Sequence, residues 1–320
     1  PNYVCASTGF WGNLCKKLNY DPKWKKIKMP YLMVPTVTGE GCSIGEEKFF
    51  NSTARKHKFG TDKLPYPLAP VTFSMGGGTT EGSGIFVLLY KSLQEKRLRS
   101  VIKKETLGLR PHGFAEVEVL DEKGNYCDIG EPGRLVAISP CEMKRYTTDN
   151  AKSPYITDAT GKTWLNMGTY SYKSDKNGKI KMKGRMSDII YLESGEKIPY
   201  YKLVDAVSKD TKNILSCTVV RAKDTDEYIC HFEMQPDSKK KKEETIESCA
   251  RRIEKVVPEE VLNKMYIRYH SFDESFPIDP SGKRSITTLI NTGVDDKCIA
   301  LKDVLSKEKS SSKVYVKKEN

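Results

Sequence analysis

The sequence lacks a hydrophobic run long enough to cross a membrane. Its longest uninterrupted apolar run, residues 85–90, is far shorter than the roughly 20 residues that a transmembrane helix needs. The chain also opens without the charged and then apolar leader of a secretory signal. We therefore expect a cytoplasmic protein with no transmembrane segment.

The sequence also lacks cysteine pairs at the spacing of a metal or redox motif. Its 9 cysteines are odd in number and scattered, and no Cys-x-x-Cys pair occurs among them. An odd and scattered set argues against a disulfide scaffold, and the missing pairs argue against a zinc site. We expect free thiols in a reducing cytosol and no bound zinc.

Positive charge is in excess, but no nucleic-acid-binding motif accompanies it. Lysine and arginine number 54 against 42 acidic residues, which gives a net charge of +12. Much of the excess lies in lysine clusters, at 239–242 and at Lys313, Lys317 and Lys318 in the tail. No helix-turn-helix, zinc-finger or RNP-type pattern is present. We therefore expect a solvated basic surface, or next a polyanionic cofactor, and no nucleic-acid partner.

The chain is long enough for two ordinary domains, with 320 residues of which 38% are hydrophobic. Residues 32–38 predict a short buried strand that ends at Gly39-Glu40-Gly41. Ser43 and Glu46 have the spacing of a capping box, which predicts that a helix opens there. Residues 71–75 predict another strand, which runs into a glycine-rich turn. This order of strand, turn and connection predicts a parallel α/β layer.

The middle of the chain alternates apolar and polar residues with the period of a strand. Turn-forming residues separate the alternating stretches, at 121–124, 130–133 and 175–178. The stretches themselves predict strands at 115–120, 134–139 and 179–183. We expect these strands to form an antiparallel β-subdomain.

A second domain is predicted to begin near Gly184. Beyond it the sequence predicts helices at 199–207 and 243–256, and strands at 215–222, 228–235 and 265–270. The predicted architecture is thus an α/β large-domain remnant with an antiparallel β-subdomain over 1–183, followed by a small α+β C-terminal domain over 184–300. Serine and lysine predict a flexible basic tail over 301–320.

A glycine-rich turn after a predicted strand contains two hydroxyls and a carboxylate, in Gly78-Thr-Thr-Glu81. These groups suit a phosphate and its Mg²⁺, which prefers a few carboxylate oxygens together with phosphate oxygens. Glycine lets the backbone approach such a ligand closely. Taken alone, however, such a stretch is more often an ordinary glycine turn.

Six short motifs occur in one order along the chain. They are Gly39-Glu-Gly41, Gly78-Thr-Thr-Glu81, Gly130-Glu-Pro-Gly-Arg-Leu135, Trp164-Leu-Asn-Met-Gly168, Gly184-Arg-Met-Ser-Asp-Ile-Ile190 and Pro280-Ser-Gly-Lys283. Each motif is unspecific, but the ordered series resembles the adenylate-forming superfamily of acyl- and aryl-CoA synthetases, luciferases and peptide-synthetase adenylation domains. The resemblance extends from about Val4 to Ile290.

The resemblance implies the C-terminal portion of an ATP-dependent carboxylic acid ligase. Such an enzyme converts an acid and ATP to an acyl-adenylate and pyrophosphate, and then passes the acyl group to CoA or another thiol acceptor. It implies ATP/AMP and Mg²⁺ as cofactors, CoA as co-substrate and a carboxylic acid as substrate. It also implies that the small domain swings about a hinge near 185–188 between the two half-reactions.

The resemblance assigns the first group of site residues to the nucleotide and the metal. Gly39, Glu40 and Gly41 would line the adenine, and Gly78 would belong to the nucleotide-binding turn. Thr80 would contact the α-phosphate and Glu81 would hold Mg²⁺, so both are expected at the reacting centre.

The remaining positions come from the later motifs. Arg185 would bind the ribose hydroxyls, and Thr169 and Lys197 are expected among the nucleotide-binding residues. Lys283 would reach the carboxylate and the α-phosphate during adenylation, where Lys⁺ and Mg²⁺ stabilise the charge developing on oxygen. The alternative is that Lys283 is an ordinary loop lysine and Arg185 a surface ion-pair partner.

The chain departs from the family pattern at several positions. Thr169 stands where the family has an aspartate that accepts two hydrogen bonds from the ribose, Gly77 where an aromatic precedes the turn, and Ser187 where Asp or Lys is commoner. The Ser/Thr/Gly-rich phosphate loop that ends in Lys is absent, so about half of a full-length enzyme is expected to be missing. A non-catalytic homologue that binds a nucleotide, an acyl group or a protein is the alternative.

Overall fold

A computed structural model describes residues 2–64, 71, 73–82, 113–148, 151–174, 179–272 and 274–306. The chain divides into two compact units, the first containing 1–42 and 47–187 and the second containing 43–46 and the residues from Asp188 onward. The division thus follows Ser187, whereas the sequence placed it at Gly184. The predicted turn at 175–178 and the apolar run at 85–90 lie outside the described residues.

The first unit opens with a parallel β-α-β-α-β arrangement. Its elements are β1 (Tyr3–Ala6), α1 (Thr8–Tyr20), β2 (Val34–Val37), α2 (Ile44–Lys56) and β3 (Ser74–Met75). The three strands pair in the order β1-β2-β3, with both pairs parallel. The parallel layer predicted from the sequence is therefore present, with β3 shorter than the predicted strand at 71–75.

Helix α1 is amphipathic and its start is capped. The Ser7 hydroxyl accepts a hydrogen bond from the Phe10 N–H, which satisfies one of the unpaired donors of the first turn. Trp11, Cys15 and Leu18 recur at helical spacing on one face and are fully buried. The Trp11 ring meets Phe73 edge to face, with centroids 4.7 Å apart. This aromatic contact ties α1 to the segment that leads into β3.

An antiparallel sheet makes up the rest of the first unit. Its strands are β4 (Glu116–Leu120), β5 (Gly133–Ile138), β6 (Tyr155–Thr157), β7 (Thr163–Lys173) and β8 (Ile180–Arg185). They pair in the order β4-β5-β7-β6, and β8 pairs with β7. The expected antiparallel subdomain is thus observed, at nearly the predicted positions.

Gly133 opens β5 at a point where no side chain fits. A Cβ atom there would lie 2.4 Å from the Leu120 carbonyl oxygen and 2.6 Å from the Cys127 Sγ. A backbone carbonyl can move away from such a clash only if the strand itself shifts. Gly133→Ala should therefore lower the free energy of unfolding by about 2–3 kcal/mol. Denaturant unfolding followed by tryptophan fluorescence, which reports on the first unit, measures this. Gly113→Ala, where no atom lies within 4 Å, is the control; equal stability of the two variants would contradict the steric explanation.

The second unit is a small α+β domain, as predicted. Its elements are β9 (Ile189–Tyr191), β10 (Lys197–Pro199), α3 (Tyr200–Ser208), β11 (Ile214–Arg221), β12 (Tyr228–Met234), α4 (Lys242–Glu254), α5 (Glu259–Leu262), β13 (Met265–His270), α6 (Ile286–Thr292) and β14 (Cys298–Ala300). The sheet order is β11-β12-β13-β14, with β12 and β13 parallel. Helix α4 lies within the crossover between these two strands.

Three thiols lie in the main core of the second unit. Cys217, Cys230 and Cys249 are buried among its apolar residues, and the Sγ atoms of the first two are 3.7 Å apart. The neighbouring Cys230 and burial raise the pKa of Cys217, and burial raises that of Cys249. All 9 cysteines lie in the described ranges, and none of them forms a disulfide.

The predicted flexible tail begins too early. Residues 301–306 are helical, Leu301 is fully buried in the core of the second unit, and Val304 packs beside it. Residues 301, 304 and 305 are apolar and give this turn an apolar face. Burial of that face offsets the conformational entropy that the turn loses when it becomes ordered. The predicted tail is therefore wrong for 301–306, and residues 307–320 lie outside the described part.

Candidate functional site

Three loops of the first unit follow the carboxyl ends of its parallel strands. They are residues 7–9 after β1, 38–41 after β2 and 76–82 after β3. The Gly76 N–H donates to the Val37 carbonyl at 2.8 Å, which joins the second and third loops. Because carboxyl ends of parallel strands meet at one edge of a sheet, the three loops form a common rim, the usual ligand position in open α/β sheets.

The loop after β2 is bound to the start of α1. Gly39 has a φ of 83°, which favours glycine. The Gly9 N–H donates to Glu40 Oε1 at 2.8 Å, and the Thr8 hydroxyl donates to the Gly41 carbonyl at 3.2 Å. A carboxylate at a helix N-terminus is stabilised by the helix dipole. Glu40 therefore has a capping role, and its place beside an adenine stays a prediction.

The loop after β3 holds Glu81 by its backbone and its side chain. The Met143 N–H donates to the Glu81 carbonyl at 2.7 Å, and the Tyr146 hydroxyl donates to Glu81 Oε1 at 2.8 Å. The carboxylate's own backbone N–H, followed by the Tyr146 hydroxyl, lowers the pKa of Glu81. Thr80 and Gly78 are exposed on the same loop, and Gly77 is buried.

Thr169 and Arg185 are directly opposite each other on β7 and β8. Residues so paired in an antiparallel sheet have Cβ atoms about 4.5–5.5 Å apart. The Thr169 hydroxyl donates to the Met167 carbonyl at 3.1 Å, and the Thr79 hydroxyl lies 3.9 Å from Met167 Sδ. The structure therefore links these two predicted residues, through Met167, to the loop that contains Glu81.

Glu81 is the residue of this loop that fits a hard cation. Among the described residues, no group of three or more histidine, cysteine, aspartate or glutamate side chains could enclose a metal ion. Mg²⁺ is commonly held by one or two carboxylates together with substrate phosphates. An ionised Glu81, with the hydroxyl of Thr80 on the same turn, matches that requirement.

Lys197 and Lys283 belong to the second unit. Lys197 lies on β10, opposite Tyr191 of β9. Lys283 is exposed in the segment between β13 and α6, and its backbone N–H donates to Asp279 Oδ1 at 3.0 Å. Eight of the ten predicted site residues thus lie in the first unit, and these two lysines lie in the second.

Two contacts of the site residues were not predicted. Tyr146 is separated from Glu81 by 65 positions, so only the fold brings them together. Asp279 had a sequence signal, because Asp followed by Pro-Ser-Gly is typical of a side-chain-closed turn.

None of the helices in the described ranges combines the length and apolarity needed to cross a bilayer.

The fold was compared with known proteins. No family model and no curated protein matches the sequence. Among solved structures, it is similar to the anthranilate CoA ligase AuaEII in complex with anthranoyl-AMP, with 14% identity and a TM-score of 0.60 over 90% of this chain and 49% of that one. It is also similar to a benzoate CoA ligase from Burkholderia xenovorans LB400, with 17% identity and a TM-score of 0.61 over 91% and 51%.

A third similar structure is the amide bond synthetase McbA from Marinactinospora thermotolerans, with 17% identity and a TM-score of 0.60 over 90% of this chain and 50% of that one. The chain therefore spans about half the length of each of these proteins. At such low identity the likeness shows the fold alone. The chain therefore has the fold of about half of each of these two CoA ligases and this amide bond synthetase.

Proposed function

We propose that the chain is the C-terminal portion of a ligase that activates a carboxylic acid with ATP and passes the acyl group to a thiol, with CoA as the acceptor. The fold supports this class of enzyme. The observation on which the proposal rests is the common rim of the first unit. There the Gly76 N–H, just after β3, donates to the Val37 carbonyl at the end of β2. Residues 39–41 and 78–81 follow these two points along the chain, on the loops after β2 and β3.

In this proposal the rim binds the nucleotide. The turn at 39–41 approaches the adenine through its backbone, because the Glu40 carboxylate is bound to α1. Thr80 donates to the α-phosphate, and Arg185 donates to the ribose. Glu81 holds Mg²⁺, which offsets the negative charge of the phosphates when bound.

Lys283 supplies positive charge in the first half-reaction. A carboxylate oxygen attacks the α-phosphorus, the bond from that phosphorus to the bridging oxygen breaks, and pyrophosphate leaves with the bond electrons. Negative charge grows on the oxygens of the α-phosphate while this happens. An ammonium at this position stabilises the transition state more than the ground state, which raises the rate.

A second candidate is a non-catalytic homologue that binds a nucleotide, an acyl group or a partner protein. The observation that favours it is Thr169, whose hydroxyl already donates to the Met167 carbonyl. A single hydroxyl in that position replaces a carboxylate that accepts two hydrogen bonds. Nucleotide affinity would then be too weak or too loosely oriented for chemistry.

Acid-dependent exchange of pyrophosphate into ATP tests the proposal in the natural protein that contains this chain. We expect exchange with at least one acid of a panel of aryl and alkyl carboxylates, and we expect it to require Mg²⁺. Glu81→Gln should lower the apparent affinity for Mg²⁺ about tenfold or more, because a charged ligand becomes neutral.

The control is Glu122→Gln, a change at an exposed turn residue of the same unit. Binding of ATP without exchange for any acid would favour the non-catalytic homologue. A protein that shows neither ATP binding nor exchange would contradict the ligase, and would restrict the second candidate to a homologue that binds an acyl group or a partner protein.

A further inference from the structure

Residues 279–283 form a turn that is closed largely by one carboxylate. Asp279 Oδ1 accepts hydrogen bonds from the Ser281 N–H at 2.8 Å, the Ser281 hydroxyl at 2.7 Å and the Lys283 N–H at 3.0 Å. The Ser281 hydroxyl is the largest of the contacts that lower the pKa of Asp279. The carboxylate is therefore ionised at neutral pH and charge-assists all three bonds.

The backbone closes the same turn. The Asp279 N–H donates to the Lys283 carbonyl at 2.8 Å, and the Gly282 N–H donates to the Asp279 carbonyl at 2.9 Å. Gly282 has a φ of 81°, a conformation that other residues adopt only with strain. Outside the turn, Ile278 and Arg284 form an antiparallel bridge. Hydrogen bonds within the turn and the bridge just outside it thus both restrain the backbone around Lys283.

Arg284 and Lys283 differ in what their side chains contact. The Arg284 guanidinium donates to the Ser216 hydroxyl and lies 5.9 Å from the centre of the Phe276 ring. Lys283, next to it, is exposed, and its ammonium has no hydrogen bond and no ion pair within 4 Å to any described residue. The turn, whose backbone is restrained by hydrogen bonds, thus exposes one charged side chain, that of Lys283.

We propose that Asp279 is a positioning residue for Lys283. By closing the turn, it fixes the Lys283 backbone, so that only side-chain torsions remain to be ordered when the ammonium meets an anionic group. This inference rests on the proposed function and extends it, because it explains why the lysine reaches the α-phosphate at little entropic cost. The relevant entropy is that of a long flexible side chain on an otherwise mobile loop.

Hydrogen exchange in this chain tests the turn itself. Asp279→Ala should speed exchange of the Ser281 and Lys283 amides at least tenfold, because both lose their acceptor. Asp279→Asn keeps an oxygen acceptor and should restore most of the protection. Asp296→Ala, at another exposed aspartate of the second unit, is the control and should leave both amides unchanged. Unchanged exchange in Asp279→Ala would overturn the inference.

A double-mutant cycle in the natural protein tests the consequence for Lys283. Asp279→Ala should lower kcat for adenylation about 10- to 100-fold and leave KM for ATP within about threefold. In the Lys283→Ala background the same change should have no further effect on kcat, because the group it positions is gone. Asp279→Asn should recover most of the lost rate.

The outcomes separate the inference from the proposed function. Full additivity of the two changes, or loss of amide protection without loss of kcat, would show that Asp279 only closes a turn, and would overturn the inference. A wild-type protein with no adenylation at all would overturn the proposed function and the positioning role together. The exchange data would then still report whether Asp279 closes the turn.

Discussion

Replacing Lys283 by alanine is expected to slow acyl-adenylate formation about 10²–10³-fold in the natural protein that contains this chain. The expected size is that of other single donors directed at a developing oxyanion. In the proposed function the lysine acts on charge that appears only while the α-phosphate is attacked, so its loss should lower kcat for this step. Thioester formation from a supplied acyl-adenylate should be nearly unchanged, because that step lacks the same charge.

Separate measurement of the two half-reactions decides the role of Lys283. Pyrophosphate exchange reports the first step, and thioester yield from synthetic acyl-adenylate reports the second. Lys283→Arg should be a poor substitute, since a planar guanidinium does not reproduce a compact ammonium on a flexible stem. Lys255→Ala, an exposed lysine of the same unit, is the control. Equal slowing of both steps, or of neither, would show the assigned role to be wrong.

Acidification from about pH 6.5 to pH 5 is expected to destabilise the second unit by about 3 kcal/mol. His231 on β12 and His270 on β13 are buried side by side, with Nδ1 of the first 2.9 Å from Nε2 of the second. Burial, followed by repulsion from His270 and Arg268, lowers the pKa of His231 to about 3. Burial, followed by Arg268, lowers the pKa of His270 to about 4.

The loss of stability on acidification follows from the lowered pKa values of His231 and His270. Each histidine has a pKa near 6.5 in the unfolded chain, so above that pH both states are neutral and stability is unaffected. Below it the unfolded chain takes up protons that the folded unit refuses, and stability falls as pH drops toward the folded values. The charged groups that face the pair are Arg268 and the two acids that bind it, Glu274 and Asp295. The pKa values of those acids are lowered in the folded unit, so their contribution to stability is lost only as the pH falls toward the ordinary carboxyl values near 4. The window from about pH 6.5 to pH 5 therefore belongs to the histidines.

Hydrogen exchange resolved by segment measures the acid effect in each unit. All three tryptophans lie in the first unit, so their fluorescence does not follow the second. His231→Gln keeps a polar side chain that does not titrate, and should remove about half of the pH dependence between pH 6.5 and 5. The first unit contains His57, whose pKa burial also lowers, and His57→Gln should leave the second unit's profile unchanged. A pH-independent second unit would contradict the prediction.

Local signals in the sequence predicted local structure well. The capping box is confirmed, since the Ser43 N–H donates to Glu46 Oε2 at 2.8 Å and the Glu46 N–H donates to Ser43 Oγ at 3.1 Å. The strand predicted at 265–270 is β13 with the same bounds. Such features depend on residues a few positions apart, where side-chain chemistry alone decides the outcome.

Contacts between residues far apart in the chain could not be predicted from the sequence. Thr169 and Arg185 face each other only because β7 and β8 pair in one register, and a slip by one residue would turn them to opposite faces. The pairing of His231 with His270 likewise depends on the parallel register of β12 and β13. The helical turn after β14 was missed for a different reason, because the polar residues beyond it masked a short apolar face that includes Leu301.

The three thiols in the core of the second unit give that unit an intrinsic chemical reporter. An alkylating reagent needs both access to sulfur and a thiolate, and Cys217, Cys230 and Cys249 are buried. Burial and neighbouring sulfur also hold the pKa values of Cys217 and Cys249 above the ordinary range. These thiols therefore react only from molecules in which the core has opened. In a domain without tryptophan, their modification rate counts opening events directly and needs no label added to the chain.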